Sequence, residues 1–375
     1  MNNEQAGLYI HVPFCLSKCG YCSFYSIASI HLIPEFIKAV VNEMGFYQNT
    51  FPSFDTIYIG GGTPSLLSIQ QIDDILKAVH HHFDIDRQAE ITIEVNPGDV
   101  SFDYFQALSK LGINRLNIGI QSCDDQILKF LGRRHTTKEA TAAMNAARKA
   151  NFENIGLDLI YGIHGQDIYS WNQTLKKALS FSPEHLSCYQ LSLDNKTPLY
   201  KQCKKKGLKL TEENEALDFF MITSQVLTDA GYTHYEVSNF ALNDSLRSRH
   251  NMKYWRHAPY LGLGPAAHSF LNQQRWWNKS DLKNYLKKVS EGKKPVEKSE
   301  ELSMEQLQLE TLFLGLRTKD GINLKLYKAL YGSDLLVEKQ QIIEELIKNN
   351  LIELKNGSLC PTSAGMAVAD SLALI

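Results

Sequence analysis

The sequence predicts an α/β protein built as a partial (β/α)6 barrel, followed by a smaller, mainly helical C-terminal domain with a winged-helix-like pattern. Three observations carry this. Six short apolar, often β-branched runs recur at 8–12, 56–59, 91–95, 115–120, 155–160 and 186–191. Between them lie longer stretches with apolar residues at helical spacing, such as Phe36, Val40 and Met44, or Ile69, Ile72, Leu76, Val79 and Phe83. Strand and helix therefore alternate, which requires crossover connections and a parallel sheet. Finally, the polar residues suited to chemistry collect just after the strands, at the carboxyl ends where βα barrels build their sites.

Taken in order, strand one runs into a loop holding Cys15, Cys19 and Cys22, and strand two into Gly60-Gly61-Gly62-Thr63-Pro64. Glu94 and Asn96 end strand three, Gln121 follows strand four, and Asp158 lies in strand five. After strand six, 211–231 reads as a helix capped by Thr211, leading to a strand at 233–237. An aromatic, His-rich segment spans 239–278, and the basic stretch 283–298, with Gly292 and Pro295, reads as a connection. Helical patterns follow at 304–316, 324–330 and 337–349. The stretch 351–360 reads as two short strands about Asn356-Gly357. This gives a barrel over 1–238, a middle segment and linker over 239–300, and a small domain over 301–375.

Composition narrows the function. With 39 basic against 41 acidic side chains the formal charge is -2, so no global field gathers nucleic acid or anionic lipid. The polar start enters an apolar strand at once, unlike a secretory signal, and no run approaches the roughly 20 apolar residues of a membrane span. A cytoplasmic protein is expected, with peripheral membrane contact left open. In that reducing compartment seven cysteines, three within eight positions, read as metal ligation and not as disulfides.

The spacing Cys15-x3-Cys19-x2-Cys22 can place three sulfurs on three corners of a [4Fe-4S] cube and leave the fourth iron without a protein ligand. That open position can chelate the amino and carboxylate groups of S-adenosylmethionine (SAM), and an electron from the cluster can then break the sulfonium bond. A zinc site is the alternative, but zinc normally wants four ligands in paired spacings and no second pair is evident.

The segments Tyr9-Ile-His-Val-Pro-Phe-Cys15 through Cys22-Ser-Phe24, Gly60-Gly-Gly-Thr-Pro64, Ile93-Glu94-Val95-Asn96-Pro97, Asn117-Ile-Gly-Ile-Gln121, Leu131-Gly-Arg133, Asp158-Leu-Ile-Tyr-Gly162 and His250-Asn251-x2-Tyr254-Trp255 extend this reading. Together they resemble the radical SAM family of coproporphyrinogen III dehydrogenase and its HemW-type relatives, over most of the chain. The resemblance implies a radical SAM partial barrel with a small C-terminal domain. It places Tyr9, Gly61, Gly62, Thr63 and Glu94 around SAM, Glu94 accepting from the ribose hydroxyls. It also matches Gln121, Arg133 and Asp158 to positions that touch a second SAM in the dehydrogenases. Their plainer readings are a loop anchor and a buried Arg–Asp pair.

Two departures separate the chain from the dehydrogenases. Position 24 is Phe where their pattern has a fourth cysteine, and the cluster loop begins at Cys15, without the several dozen residues that precede it there and help enclose the tetrapyrrole. The segment His250-Asn-Met-Lys-Tyr-Trp255 instead resembles the HNxxYW signature of the HemW-type haem chaperones. In that reading His250 ligates haem iron, with His257, His268 or Met252 as other ligands, while Arg247, Arg249, Lys253 and Arg256 pair with the propionates. The competing reading buries Tyr254 and Trp255 and uses His250 to cap a turn. The function implied is haem binding and delivery to acceptor haemoproteins, with a cluster fed by an electron donor. SAM cleavage is available in principle and coproporphyrinogen turnover is not expected; the dehydrogenase is the alternative.

Overall fold

The structure, a computed structural model, describes residues 4–208 and 211–372. The six expected strands form as β1 (Ala6–Val12), β2 (Phe54–Gly61), β3 (Ile85–Val95), β4 (Arg115–Gln121), β5 (Ile155–Tyr161) and β6 (His185–Gln190), parallel and in chain order. Their registers explain how they fold. Tyr9 lies opposite Tyr58, Tyr58 opposite Thr92 and Thr92 opposite Arg115, while Glu94 faces Asn117 and Asp158 faces Ser187. These positions share one face of the pleat. The alternate face carries Leu8, Ile10, Ile57, Ile59, Ile93, Leu116, Leu157 and Leu186, all buried in one apolar core with the surrounding helices. A polar interior wrapped by an apolar shell results.

The helix Ile69–His82 shows the local logic. Ser68 and Gln71 close a capping box, Ile72, Ile75, Leu76 and Val79 go to the core, and His80 and His81 are exposed at its end. The helix expected over 211–231 forms as Glu213–Asp229, with Glu212 instead of Thr211 at its N-cap.

The region 239–300 departs from expectation, because it continues the sheet on both sides. Among the described residues twelve strands form that sheet. Beyond β6 lie β8 (Asn239–Ala241) and then β7 (Thr233–Glu236). On the other side β9 (Tyr260–Leu263) pairs parallel with β1, followed by antiparallel β10 (His268–Leu271), β11 (Gln274–Asn278) and β12 (Val296–Glu301). The supposed connection at 283–298 holds the helix Leu282–Ser290, whose Leu282, Tyr285 and Val289 are buried. Lysines on its outer face hide that apolar stripe in the sequence. One buried carboxylate ties the extension to the barrel: Glu43 accepts from the Gly264 N–H (2.8 Å), Asn278 Nδ2 (2.6 Å) and the Tyr285 hydroxyl (2.6 Å). Burial still pushes its pKa up to about 7.

The C-terminal part has its own core of Leu312, Leu316, Ile322, Tyr327, Leu335, Ile343, Ile352 and Leu359. Helices Met304–Gly315, Leu324–Tyr331 and Gln340–Lys348 pack beside a three-stranded antiparallel sheet of β13 (Ile322–Asn323), β14 (Ile352–Lys355) and β15 (Ser358–Pro361). The β14–β15 turn is Asn356-Gly357 as the sequence suggests, both residues at positive φ (50° and 77°).

Candidate functional site

The cysteine loop is stapled before it meets any ligand. The Cys15 N–H donates to the Ile27 carbonyl (3.0 Å) and the Ile27 N–H to the Pro13 carbonyl (2.8 Å), while Phe14 is buried against Phe36. Gly20 meets the next layer, its carbonyl accepting from the Leu199 N–H at 2.8 Å. All seven cysteines are free thiols. Two of the loop sulfurs already have donors: the Thr63 hydroxyl lies 3.4 Å from Cys15 Sγ, and Arg133 Nη1 lies 3.6 Å from Cys19 Sγ. Burial pushes the Cys22 thiol up.

This donor set fits a three-thiolate cluster. Hydrogen bonds to ligating sulfurs and a nearby cation both favour the thiolate form that a cluster requires. Among the described residues no three His, Cys, Asp or Glu side chains converge on a single-ion position. The sequence reading had not connected Thr63 or Arg133 to the sulfurs.

Behind the loop, the glycine triplet is demanded by packing. Gly61 has φ +111°, and a Cβ there would lie 2.6 Å from the His11 ring; a Cβ on Gly62 would lie 2.6 Å from the Phe14 carbonyl oxygen. The Gly61 N–H donates to Glu94 Oε2 (3.0 Å), and the Tyr58 hydroxyl donates to Glu94 Oε1 (2.8 Å). Each carboxylate oxygen thus keeps one acceptor site for a ligand hydroxyl. Burial first, then the nearby Asp158 charge, push the Glu94 pKa up to about 7 against the two donors. Tyr9 is anchored alongside, its hydroxyl 2.9 Å from His11 Nδ1, and His11 Nε2 lies 2.9 Å from the Tyr25 carbonyl. Tyr58 and His11 were not singled out from sequence, since a Tyr within an apolar strand gives no signal of its own.

Gln121 and Arg133 meet over Gly119. A Cβ on that glycine would lie 2.9 Å from Gln121 Nε2 and 3.5 Å from Arg133 Nη2. Gln121 is buried at φ +63°, an uncommon conformation for a non-glycine. The Arg133–Asp158 ion pair of the plainer reading does not form. Arg133 donates to the Gly119 carbonyl (2.8 Å) and Cys19, whereas Asp158 accepts from Asn117 Nδ2 (2.7 Å) and from Ser187. Asp158 Oδ1 and Arg133 Nε stay buried without a partner. Burial pushes the Asp158 pKa up to about 6. Beneath them lies Arg115, 1% exposed, whose charge is felt by both Glu94 and Asp158.

His250 lies at the other end of the strands from the cysteine loop. It sits on the helix Arg249–Trp255, which closes the amino-terminal floor of the barrel, and is 1% exposed. Both ring nitrogens are engaged, Nδ1 with the Thr56 hydroxyl (2.9 Å) and Nε2 with the Tyr254 hydroxyl (2.9 Å). Glu90 accepts the N–H groups of Arg249 (3.1 Å) and His250 (3.0 Å), and the ring stacks on Tyr58 at 5.1 Å. Burial lowers its pKa to about 3. A ring so placed has no lone pair to offer haem iron. Met252 is likewise in the core.

The four cations assigned to propionates are each held by carboxylates of the chain: Arg247 and Arg256 by Asp320, Arg249 and Lys253 by Asp55. Of the remaining candidate ligands, His268 is exposed and stacked on Trp277, and His257 is bound to Glu310 (2.8 Å).

The radical SAM superfamily matches residues 9–178 and the HemN C-terminal domain matches residues 302–368. The chain is 32% identical to "Heme chaperone HemW" of Lactococcus lactis, covering 99% of this chain and 97% of that protein. It is 31% identical to "Heme chaperone HemW" of Bacillus subtilis, covering 97% of each. The mouse protein "Radical S-adenosyl methionine domain-containing protein 1, mitochondrial" is 32% identical over 99% of this chain and 87% of its own length. Among solved structures, coproporphyrinogen III oxidase (HemN) from Escherichia coli aligns with a TM-score of 0.85 at 23% identity, covering 99% of this chain and 89% of that one. That likeness establishes the shared fold.

Proposed function

Because the chain belongs to the HemW family, with a radical SAM barrel and a HemN-type C-terminal domain, we propose that it is a haem chaperone that binds haem and delivers it to acceptor haemoproteins. The observation that carries this is similarity to heme chaperones over 99% of the chain, barrel and C-terminal domain alike. In this reading Cys15, Cys19 and Cys22 hold a [4Fe-4S] cluster. Tyr9, Gly61, Gly62, Thr63 and Glu94 hold SAM against it. When bound, the cluster supplies an electron, received from a donor protein, that can break the SAM sulfonium bond.

The chain's own residues do the positioning. Thr63 and Arg133 donate to two of the ligating sulfurs, Glu94 orients the ribose with Tyr58 and the Gly61 N–H fixing its carboxylate, and Gln121, Arg133 and Asp158 line the space beside that site. The unpaired Asp158 Oδ1 and Arg133 Nε are polar capacity that a ligand there would satisfy. Among the described residues no helix is long and apolar enough to cross a membrane.

Anaerobic reconstitution followed by parallel haemin titration and coproporphyrinogen III assay with SAM and a reductant tests the proposal. Haemin binding without decarboxylation is expected. Turnover of coproporphyrinogen would replace the chaperone reading with the dehydrogenase.

A further inference from the structure

The end of the helix Arg249–Trp255 and the C-terminal domain enclose a cavity of about 600 Å³, within the size range of cofactor pockets. Its apolar lining is led by Trp255, Leu326 and Tyr331, with Phe270, Leu307 and Tyr327 buried behind them. His257 and Arg256 line it from the barrel side. We infer that haem is held in this cavity, with His257 and not His250 as the axial ligand of its iron; this rests on the chaperone reading above.

The chemistry of His257 is that of a supported metal ligand. Its Nε2 lies 2.8 Å from Glu310 Oε2, and Glu310 is fixed in turn by Arg275 Nη2 at 2.5 Å. Although burial opposes it, these two donors hold the Glu310 carboxyl below its ordinary range, so it is an anion that accepts the Nε2 proton. That tautomer leaves the Nδ1 lone pair available, and among the described residues Nδ1 makes no hydrogen bond. A carboxylate on the far nitrogen is the arrangement that orients ligating imidazoles. The ring is also braced by stacking on Phe270 at 5.2 Å, and the backbone at φ +52° turns it out of the helix axis.

A porphyrin needs flat apolar walls, one basic ligand and a route for its propionates to water. Trp255, Leu326 and Tyr331 supply the apolar surface. Arg256 is half exposed and shared between Asp320 (3.2 Å) and Glu4 (4.0 Å), so it can exchange a carboxylate of the chain for a propionate. The second cavity, about 650 Å³, does not offer this set: its His234 has both nitrogens occupied, by Ser224 (3.0 Å) and the Val237 carbonyl (3.1 Å).

The test is a ferric haemin titration of the full chain with its cluster reconstituted, followed by absorption spectroscopy. His257→Asn removes the imidazole while keeping a residue that tolerates positive φ. It is expected to weaken haemin binding at least tenfold and to change the ligand-field bands. Leu326→Trp fills the cavity from an exposed position and is expected to weaken binding at least tenfold while the bands of the residual complex stay as in the wild type. The cluster absorption should be unchanged in both. Unaltered bands in His257→Asn would overturn the ligand, and unaltered affinity in Leu326→Trp would overturn the cavity, even if the first variant folds poorly. Failure of the wild type itself to bind haemin is a separate result that removes the chaperone reading and this inference with it.

Discussion

The mouth and the floor of the barrel are lined by the same polar face of the same strands, yet they are finished differently. At the floor, Glu90 takes two N–H donors, His250 uses both ring nitrogens, and Lys253 meets Asp55 at 2.8 Å and the Gln5 carbonyl at 2.8 Å. At the mouth, Asp158 Oδ1 and Arg133 Nε have no partner, Gln121 stands at positive φ, and three thiols sit on one loop. Buried polar groups are costly unless paired, so these paired floor groups read as architecture, although Arg115 Nε, His185 Nδ1 and Trp255 Nε1 at that end are also without a partner, while the unpaired groups at the mouth surround the cysteine loop and suit a ligand. Residue identity alone does not distinguish the two. A histidine in a signature motif reads as a ligand until its nitrogens are accounted for.

The largest effect should come from the mouth. Replacing Cys15, Cys19 or Cys22 by Ala should take the anaerobically reconstituted protein from about four irons per chain to near none. Cys123, Cys188, Cys203 and Cys360 variants should keep a full cluster. Iron analysis with visible absorption decides this, and a complete cluster in any of the first three would break the contrast.

At the floor the expected loss is of stability. Lys253 and Asp55 are largely buried, with side chains 7% and 12% exposed; removing Lys253 leaves Asp55 with Arg249, whereas removing Asp55 strands the Lys253 charge. Asp55→Ala should therefore cost about 3–5 kcal/mol in urea unfolding while the folded fraction still builds its cluster. A variant as stable as the wild type would show that the floor is not structural.

Most of the barrel was legible because its outward residues are consecutive β-branched strands with amphipathic helices between them. The edge strands β9–β12 were not, since their aromatic and charged residues, such as Trp276, Trp277 and Arg275, follow no apolar alternation and earn their place only by pairing. The cysteine loop was legible from spacing. The support around it was not: Tyr58, His11 and Arg115 lie far apart in sequence, and only the strand registers bring them together. His250 was misplaced for the opposite reason. Its motif was recognisable, but burial beneath Tyr58 depends on a helix plugging the barrel from below, which no local pattern reveals.

A middle-sized effect sharpens that point. His250→Phe keeps the ring on Tyr58 but leaves the Thr56 and Tyr254 hydroxyls without their partner, so it should cost about 1–3 kcal/mol per stranded group. Haemin should still bind with wild-type ligand-field bands. If instead stability is unchanged and the bands change, His250 is a ligand and the floor belongs with the mouth.

The smallest expected effect is a pH dependence confined to the mouth. Glu94 ordinarily titrates near 4.5 and is pushed up to about 7, chiefly by burial. A carboxyl with a raised folded pKa binds its proton more tightly when folded, so its stabilising contribution is present at low pH and is lost as pH rises from about 4.5 towards about 7. SAM should respond in the opposite sense, because accepting the ribose hydroxyls uses the ionised carboxylate. Apparent affinity scales with the fraction in that form, which gives about a tenfold gain between pH 6 and pH 8. Glu94→Gln cannot ionise, so its SAM affinity should be weaker than wild type at pH 8 and flat across the same interval. Equilibrium binding of SAM to the reconstituted protein at several pH values measures both slopes. Equal slopes in the two proteins would mean that Glu94 serves only to hold Tyr58 and the Gly61 N–H, making that part of the mouth as structural as the floor.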